Sequence, residues 1–566
     1  RLAWALTRTR RAAPPRAAGI RHIWLAGRAP GDAGAASGGT VAVTRRKTYA
    51  LTVRATPLPG TAAGQMFASA AVVNVDNPAL FNQGVTLGSA RSATVRVPAG
   101  HYWVVGEVDD QTSATAERSA LAGQPQVTVH GPTSVTLDGA TAVPVTASVT
   151  GHPTRMAEDS VHVERRFDGQ VAGFDVLGFG PGELFAQPSG PARTGTFRAF
   201  TFAHLASPPG ARRPYSYDLW HPAGARIPGS LADTVTPAQQ ARLARVSVRF
   251  YALNGSQAQV WDIRYGLDSA GFLAAQADSK EPGGSTRTDY LSAGAGIRWD
   301  QEAVPPLRVR GKNDQGDWVI EVPRFGAPRP GSRTSASWMR QPFAPGPYSA
   351  TMPTPSFCAP HASTRIGNDV HVELTDLQDL PDGFDCLSGI SLLNGVTSRT
   401  MRLYAGRRLL GTSHSSVADF DVPAAARTFR LSYADNYARV LPVSTRTATT
   451  WTFRSPAGAA GAVLPLLLVR YQLPVNLDNH PDGRTAVVTA ARIAGAPASR
   501  VISLHAWISV SQGRVWRLVP ARALGRGRYS ITLPKAVAGQ SVSLRVQAAD
   551  SGGSGVEQTI ITAYRG

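Results

Sequence analysis

The sequence is poor in the features that tie a chain to a membrane, a nucleic acid or a metal. Its longest apolar run, Ala462 to Val469, is a buried-strand length, well short of the ~18 residues that a membrane-crossing helix needs. Lysine is almost missing. Only Lys47, Lys280, Lys312 and Lys535 occur, so 54 of the 58 basic residues are arginine. With 38 acidic residues the formal net charge is still +20. The arginines are scattered singly through strand-like segments, without the basic stripe and interleaved aromatics of a nucleic-acid site, so nucleic acid is not the expected partner. Attraction to acidic wall polymers by charge fits this scatter better. The densest group, Arg8, Arg10, Arg11 and Arg16, lies in an N-terminal stretch without apolar periodicity.

Cysteine is scarce too: Cys358 and Cys386 are the two. One disulfide in an exported protein is the favoured reading, and closing that loop stabilises a domain by roughly 3–4 kcal/mol on the chain-entropy model. Two unpaired thiols are the second reading. A metal is the third, because Cys358 begins Cys-Ala-Pro-His361 with His371 and Glu373 nearby. Zinc sites supply two close ligand pairs, and Cys386 has no partner at short spacing, so no metal site is expected.

What the chain does contain is turn formers and short apolar stretches. Its 56 glycines and 42 prolines are spread along 566 residues of which 43% are hydrophobic, enough for packed cores over roughly three to five domains. Residues 1–39 are Arg/Ala/Gly/Pro-rich and read as a flexible basic segment. The order there, a short apolar patch and then basic residues, is the reverse of a signal peptide, so an upstream portion carrying the export signal is expected.

From Thr40 strands dominate. Tyr49 to Ala55, Ala70 to Val75, Ala93 to Val97, Tyr102 to Val105, Gln126 to Val129 and Ser134 to Leu137 alternate with period two or form short apolar runs. They make residues 40–150 a β-sandwich, with Val95 to Val104 reading as a hairpin about Pro98-Ala-Gly100. Residues 151–345 read as an irregular β-rich domain, including a short helix over 236–244 with Thr236 at the N-cap and Pro237 at N1. Residues 346–468 read as a second sandwich with the candidate disulfide, and 469–566 as an immunoglobulin- or fibronectin-like sandwich. The fold class expected is mainly β: tandem antiparallel β-sandwich domains, prealbumin-like first and immunoglobulin-like last. Most tryptophans sit inside alternating strands, which points to packing rather than to a sugar-stacking platform.

No catalytic residue emerges. Gly-x-Ser-x-Gly is absent. Gly411-Thr-Ser413-His414 resembles the start of the signature around the subtilisin nucleophile, but it follows a strand and reads as the end of a hairpin. Asp550-Ser-Gly552 has the form of that family's Asp motif but comes after the serine and reads as a turn. Carboxylate pairs for glycoside chemistry are not singled out by any local context. Asn476, Asp478, Asn479 and Asp482 form a weak calcium-loop candidate. Their spacing is not that of an EF-hand, and the same residues are ordinary turn formers. No cofactor is expected.

Several segments taken together resemble the long C-terminal region of secreted subtilisin-like serine peptidases of actinobacteria. Among them are Leu51 to Ala55, Ala71 to Asp76, Ala93 to Tyr102, Tyr217-Asp-Leu219, Thr286 to Gly294, Ala448 to Phe453, Leu464 to Arg470 and the ending Val556 to Arg565. The resemblance covers about 40–566. It implies a secreted, extracellular, non-catalytic accessory region that positions or stabilises a peptidase domain or engages substrate. The partners it implies are a subtilisin-type catalytic domain, a protein substrate or a cell-wall polymer. The alternative is a stand-alone extracellular adhesion or carbohydrate-binding sandwich protein.

Overall fold

The computed structural model describes residues 24–26, 47–61, 66–87, 90–111, 117–178, 180, 183–253, 259–268, 273–294, 296–304, 306–307, 317–318, 321–323, 327–349, 361–378, 383–385, 398–425, 427–439, 441–455, 461–535 and 537–566. Cys358 and Cys386 lie outside the described residues. The fold is mainly β, as the alternation and turn chemistry require, and one α-helical turn, Pro237–Gln240, interrupts the strands among the described residues. That turn carries a capping box: Thr236 Oγ1 accepts from the Gln239 N–H, and the Gln239 side chain accepts from the Thr236 N–H. The helix expected over 236–244 is shorter than its pattern, because the strand Ala244–Phe250 takes over at once.

The N-terminal half is a stack of four sheets. The first layer has three strands in the order Ser92–Pro98, Thr48–Thr56, Thr133–Asp138. The second has seven, centred on Met66–Asn74, Gly100–Gln111 and Glu117–Val129. The third has eight, including Arg155–Phe167, Thr196–Ala206, Tyr215–Gly224 and Ser285–Leu291, with Trp24–Ala26 along one edge. The fourth is built on Leu273–Pro282, Gln259–Asp268 and Ile297–Val304.

Strand periodicity explains the stacking. Successive side chains point to opposite faces, so in Gly100–Gln111 Tyr102 and Val104 join the core under the first layer, while Trp103 and Val105 join the core over the third. Both faces are covered, and the segment reads as a continuous apolar run. Each buried aliphatic or aromatic side chain contributes about 1.5–3 kcal/mol relative to exposure.

One expectation fails here. Pro98-Ala-Gly100 is a corner between two sheets, not a hairpin. Ser92–Pro98 pairs with Thr48–Thr56, whereas Gly100–Gln111 pairs with Met66–Asn74 and Glu117–Val129. Proline lacks the N–H that would continue a ladder, and Gly100 takes φ +155°. The Tyr102 hydroxyl donates to the Pro98 carbonyl at 2.8 Å, fastening the corner. Antiparallel pairing predominates, but five pairings among the described residues are parallel, Thr48–Thr56 with Thr133–Asp138 among them.

The C-terminal half is built on one eight-stranded sheet, ordered Arg408–Ser413, Ser398–Ala405, Arg427–Asn436, Arg446–Ser455, Gly555–Arg565, Ser541–Asp550, Val501–Ser509, Arg517–Val519. Two smaller sheets cover one of its faces. One is centred on Asp369–Gln378, the other on Thr485–Arg492, and a single core containing Leu403, Trp451, Tyr471, Val488 and Ile560 runs beneath both. Strands from within 398–455 and from within 501–565 thus share one sheet.

The two halves meet at a separate apolar cluster in which Phe250, Trp338 and Phe343 pack with Tyr437 and Leu441. Asn479 clasps this junction. It is 3% exposed and sits at φ +59°. Its Nδ2 donates to the carbonyls of Ala252 and Met339, each at 2.8 Å, and its Oδ1 accepts from the Gln341 N–H at 3.1 Å. Asn479→Ala removes these bonds and the amide side chain that lets a non-glycine residue hold the left-handed conformation, and the expected loss is about 3 kcal/mol. A chemical-denaturation series checks it; an unchanged midpoint would show the clasp to be idle.

Candidate functional site

The largest concentration of ionisable groups lies inside the molecule, between the third and fourth layers. Period-two alternation brings it together. Ser216, Asp218 and Trp220 face inward from Tyr215–Gly224, and Arg287 and Asp289 from Ser285–Leu291. Asp262 and Arg264 face them from Gln259–Asp268. The parallel register sets Ser216 opposite Asp289 and Asp218 opposite Leu291, so Asp218 and Asp289 are diagonal neighbours on one face.

Two guanidinium groups bind this cluster across the gap between the sheets. Arg264 pairs with Asp218 through Nη1 and with Asp289 Oδ2 through Nη2 at 2.6 Å. Arg287 donates from Nε to Asp289 Oδ1 at 2.5 Å and from Nη2 to Asp289 Oδ2 at 2.9 Å. It also pairs with Asp262, and its Nη1 reaches Glu281 at 2.5 Å and Ser279 at 2.7 Å. His204 Nδ1 lies 2.6 Å from Asp218 Oδ1, and Gln301 donates to Asp262 Oδ1 at 2.6 Å. Asp218 and Asp289 are wholly covered, and Arg264 is 2% exposed.

Arginine suits this work because its planar fork engages two carboxylates at once and keeps its charge when buried. Burial pushes the Asp218 carboxyl up, but Arg264 and His204 together bring it below the usual range. Asp289 is also held below the usual range, burial being outweighed by Arg287 and then Arg264. For Asp262 burial prevails over the same two arginines, and its carboxyl titrates above the usual range.

A His–Asp pair is also what a hydrolytic triad uses. Here all six oxygens of Asp218, Asp262 and Asp289 have partners. The geometry is that of an ionic lock between two sheets. The apolar remainder of the same interface, Phe200, Phe202, Trp220 and Trp299, packs beside it. Gly266 is needed there, since a β-carbon would meet Ala275 and Ile297 at 2.9 Å.

A second group of carboxyls lies on Arg155–Phe167. Glu158 is pushed up to about 9 by burial and then by Asp278, although it accepts the Asp278 N–H at 2.7 Å. Asp159, 1% exposed, is pushed up to about 8 by burial and by Glu183.

The residues singled out in the sequence are distributed differently. Ser413 closes the strand Arg408–Ser413, its Oγ accepting the Ser415 N–H, and His414 Nδ1 lies 2.9 Å from the Arg399 carbonyl. Asp550 holds the turn after Ser541–Asp550 by accepting the Gly552 and Ser554 N–H groups and Arg492 Nε. Four strands separate the strands of Ser413 and Asp550, a span on the order of 24 Å.

In the calcium-loop candidate, Asn476 Oδ1 accepts the Asp478 and His480 N–H groups, and Asn479 is the junction clasp, while Asp478 and Asp482 are exposed. His361 Nδ1 and His371 Nε2 lie 3.3 and 3.7 Å from Glu373 Oε2, and His371 Nδ1 is 2.7 Å from Asp419. Among the described residues no group of three or more His, Cys, Asp and Glu is arranged to hold a metal ion.

The ionic lock was missed in the sequence, though a signal existed. Asp262-Ile-Arg264 and Arg287-Thr-Asp289 are mirror-image charge patterns at strand spacing.

No family model matches the chain, and no curated protein does. Solved structures that align with it include the α2-macroglobulin of Salmonella, at 9% identity and a TM-score of 0.15, covering 92% of this chain and 52% of that one. The major pilin subunit of Bacillus cereus aligns at 7% identity and a TM-score of 0.11, covering 51% of this chain and 99% of that one. The human desmocollin-1 ectodomain aligns at 7% identity and a TM-score of 0.13, covering 92% and 98%. The chain spans about half the length of the Salmonella protein. At these scores the likenesses bear on neither topology nor function.

Two outcomes follow from the charges. Arg264→Met leaves Asp218 and Asp289 each short of a partner in the interior, and a loss of about 3–5 kcal/mol is expected, read from urea unfolding followed by circular dichroism. Glu158 and Asp159 stay protonated in the folded chain to higher pH than in the unfolded one, so the folded state binds more protons between their ordinary and raised values. Stability is therefore full below about pH 4 for these two groups and is lost as pH rises toward 8–9. Glu158→Gln should flatten the slope of melting temperature against pH between 6 and 9.

Proposed function

We propose that the chain is a non-catalytic accessory array of β-sandwiches that acts outside the cell and holds a catalytic or wall-bound partner in position. The observation that carries this reading is the ionic lock: its aspartates are spent on arginines that join two sheets. Such a stack suits a scaffold, whose framework stays fixed while its loops vary. The parentage we propose, a secreted subtilisin-like serine peptidase, is supported by the resembling segments. Tyr217-Asp-Leu219 and Thr286 to Gly294, two of these, carry Asp218, Arg287 and Asp289 of the lock.

Incubating the purified chain with casein and with a fluorophosphonate probe for active serines tests it. Neither cleavage nor labelling is expected. Labelling that Ser413→Ala abolishes would sink the proposal, as would casein cleavage lost in His204→Ala while the melting temperature holds.

A further inference from the structure

The eight-stranded C-terminal sheet is covered by smaller sheets on one face; among the described residues no sheet covers the other, and the turn over 510–516 lies against Arg545 and Ile561 at one end of it. The two faces differ in charge. The eight strands together contain three carboxylates, Asp435, Asp550 and Glu557. Asp435 and Asp550 are buried and engaged. Glu557 alone of the three stands on the open face, alternating with the core residues Val556 and Ile560. Arg402, Arg430, Arg446, Arg454 and Arg545 stand on the same face by the same alternation.

The register sorts these residues into rows running across the strands. One row pairs Leu409 with Tyr404, Tyr404 with Arg430, and Arg430 with Thr452. The next pairs Thr412 with Arg402, Arg402 with Ser432, and Ser432 with Thr450. A third pairs Ala448 with Thr559, Thr559 with Arg545, and Arg545 with Trp507.

Two of the arginines sit over aromatic rings, Arg430 at 4.1 Å from the Tyr404 centroid and Arg545 at 4.4 Å from that of Trp516. Stacking restrains each guanidinium and leaves N–H groups at its edge for an anion; Arg545 spends its Nε–H on Thr559 Oγ1 at 3.1 Å and keeps its Nη groups. Near the rows lies a shallow hollow of about 350 Å³, with Arg446 and Arg565 among its walls. Eight strands at ~4.8 Å spacing make the face roughly 34 Å wide.

We propose that this face binds an acidic polysaccharide, a linear chain carrying carboxylate groups, laid across the strands. Charge complementarity selects an anion, five arginines facing one glutamate. The hydroxyls interleaved with them, Thr412, Ser432, Thr450, Thr452 and Thr559, offer sugar hydroxyls both donors and acceptors, which favours a glycan over polyphosphate. The proposal deepens the accessory reading by naming the class of wall-bound partner and rests on it only for the place of action. Labelling of Ser413 would overturn that reading without affecting this face, and failure to bind here would leave the labelling result as it stands.

The test is affinity electrophoresis of the full chain in gels containing polygalacturonate, with neutral dextran, polyphosphate and single-stranded DNA at matched charge as comparisons. Polygalacturonate should retard the chain most, and dextran not at all. The double variant Arg402→Ser, Arg430→Ser should weaken retardation about tenfold. Arg54→Ser with Arg96→Ser removes the same charge from the exposed face of the first layer and should change it less than twofold. Arg454→Ser gives a second reading on the proposed face, and circular dichroism confirms that each variant folds. Equal losses in the two double variants would overturn the proposal by showing delocalised charge. So would retardation by polyphosphate or DNA equal to that by polygalacturonate, retardation by dextran, or none at all. Sedimentation showing that the face pairs with a second copy would overturn it as well.

Discussion

Two arginines set the terms for the N-terminal half. Arg264 and Arg287 sit where the third and fourth layers close, and each is covered on all sides by protein. A guanidinium in that position is tolerated only when carboxylates meet it with good geometry, so Asp218, Asp262 and Asp289 must be present and in register. That requirement fixes the pairing of Tyr215–Gly224 with Ser285–Leu291, because a slip of one residue would turn the aspartates to the opposite face. The layers above can then stack on a third sheet whose register is specified by charge as well as by apolar contact.

The strands were legible where one face is apolar and the other polar. Tyr49 to Ala55 and Ala93 to Val97, read as strands from their alternation, lie within observed strands. Gly411-Thr-Ser413, read as the end of a hairpin, does belong to one, between Ser398–Ala405 and Arg408–Ser413. The stretch 151–345 looked irregular because its strands do not follow that rule. Arg155–Phe167 and Gln259–Asp268 are buried on both faces, the first with charges on both and the second with charges on one, a pattern that resembles exposure when read residue by residue. Local signals also could not tell a hairpin from a corner. Pro98 and Gly100 mark a change of direction, but which strand pairs with which is decided by distant partners, here Thr48–Thr56 for one arm and Met66–Asn74 for the other.

Of the residues to which the sequence drew attention, Asn479 matters most structurally, for a reason its motif did not suggest. It was noticed as an oxygen donor on a loop, yet its amide is spent on backbone groups of two other segments. Asn residues adopt the left-handed conformation more readily than most, which suits a side chain that must turn back on its neighbours. The ionic lock shows the reverse case. Its members form no local motif, and only the mirrored Asp-x-Arg and Arg-x-Asp patterns, far apart in sequence, hint that they meet.

The position of Gly555–Arg565 has a mechanical consequence. This strand lies inside the eight-stranded sheet, hydrogen-bonded to Arg446–Ser455 on one side and to Ser541–Asp550 on the other. Tension applied along it loads both ladders at once in shear, so the bonds resist together and do not unzip one at a time. An edge strand such as Arg517–Val519 has a single ladder to share the force. A pull transmitted through Gly555–Arg565 therefore spreads across the width of the sheet and into the core beneath it.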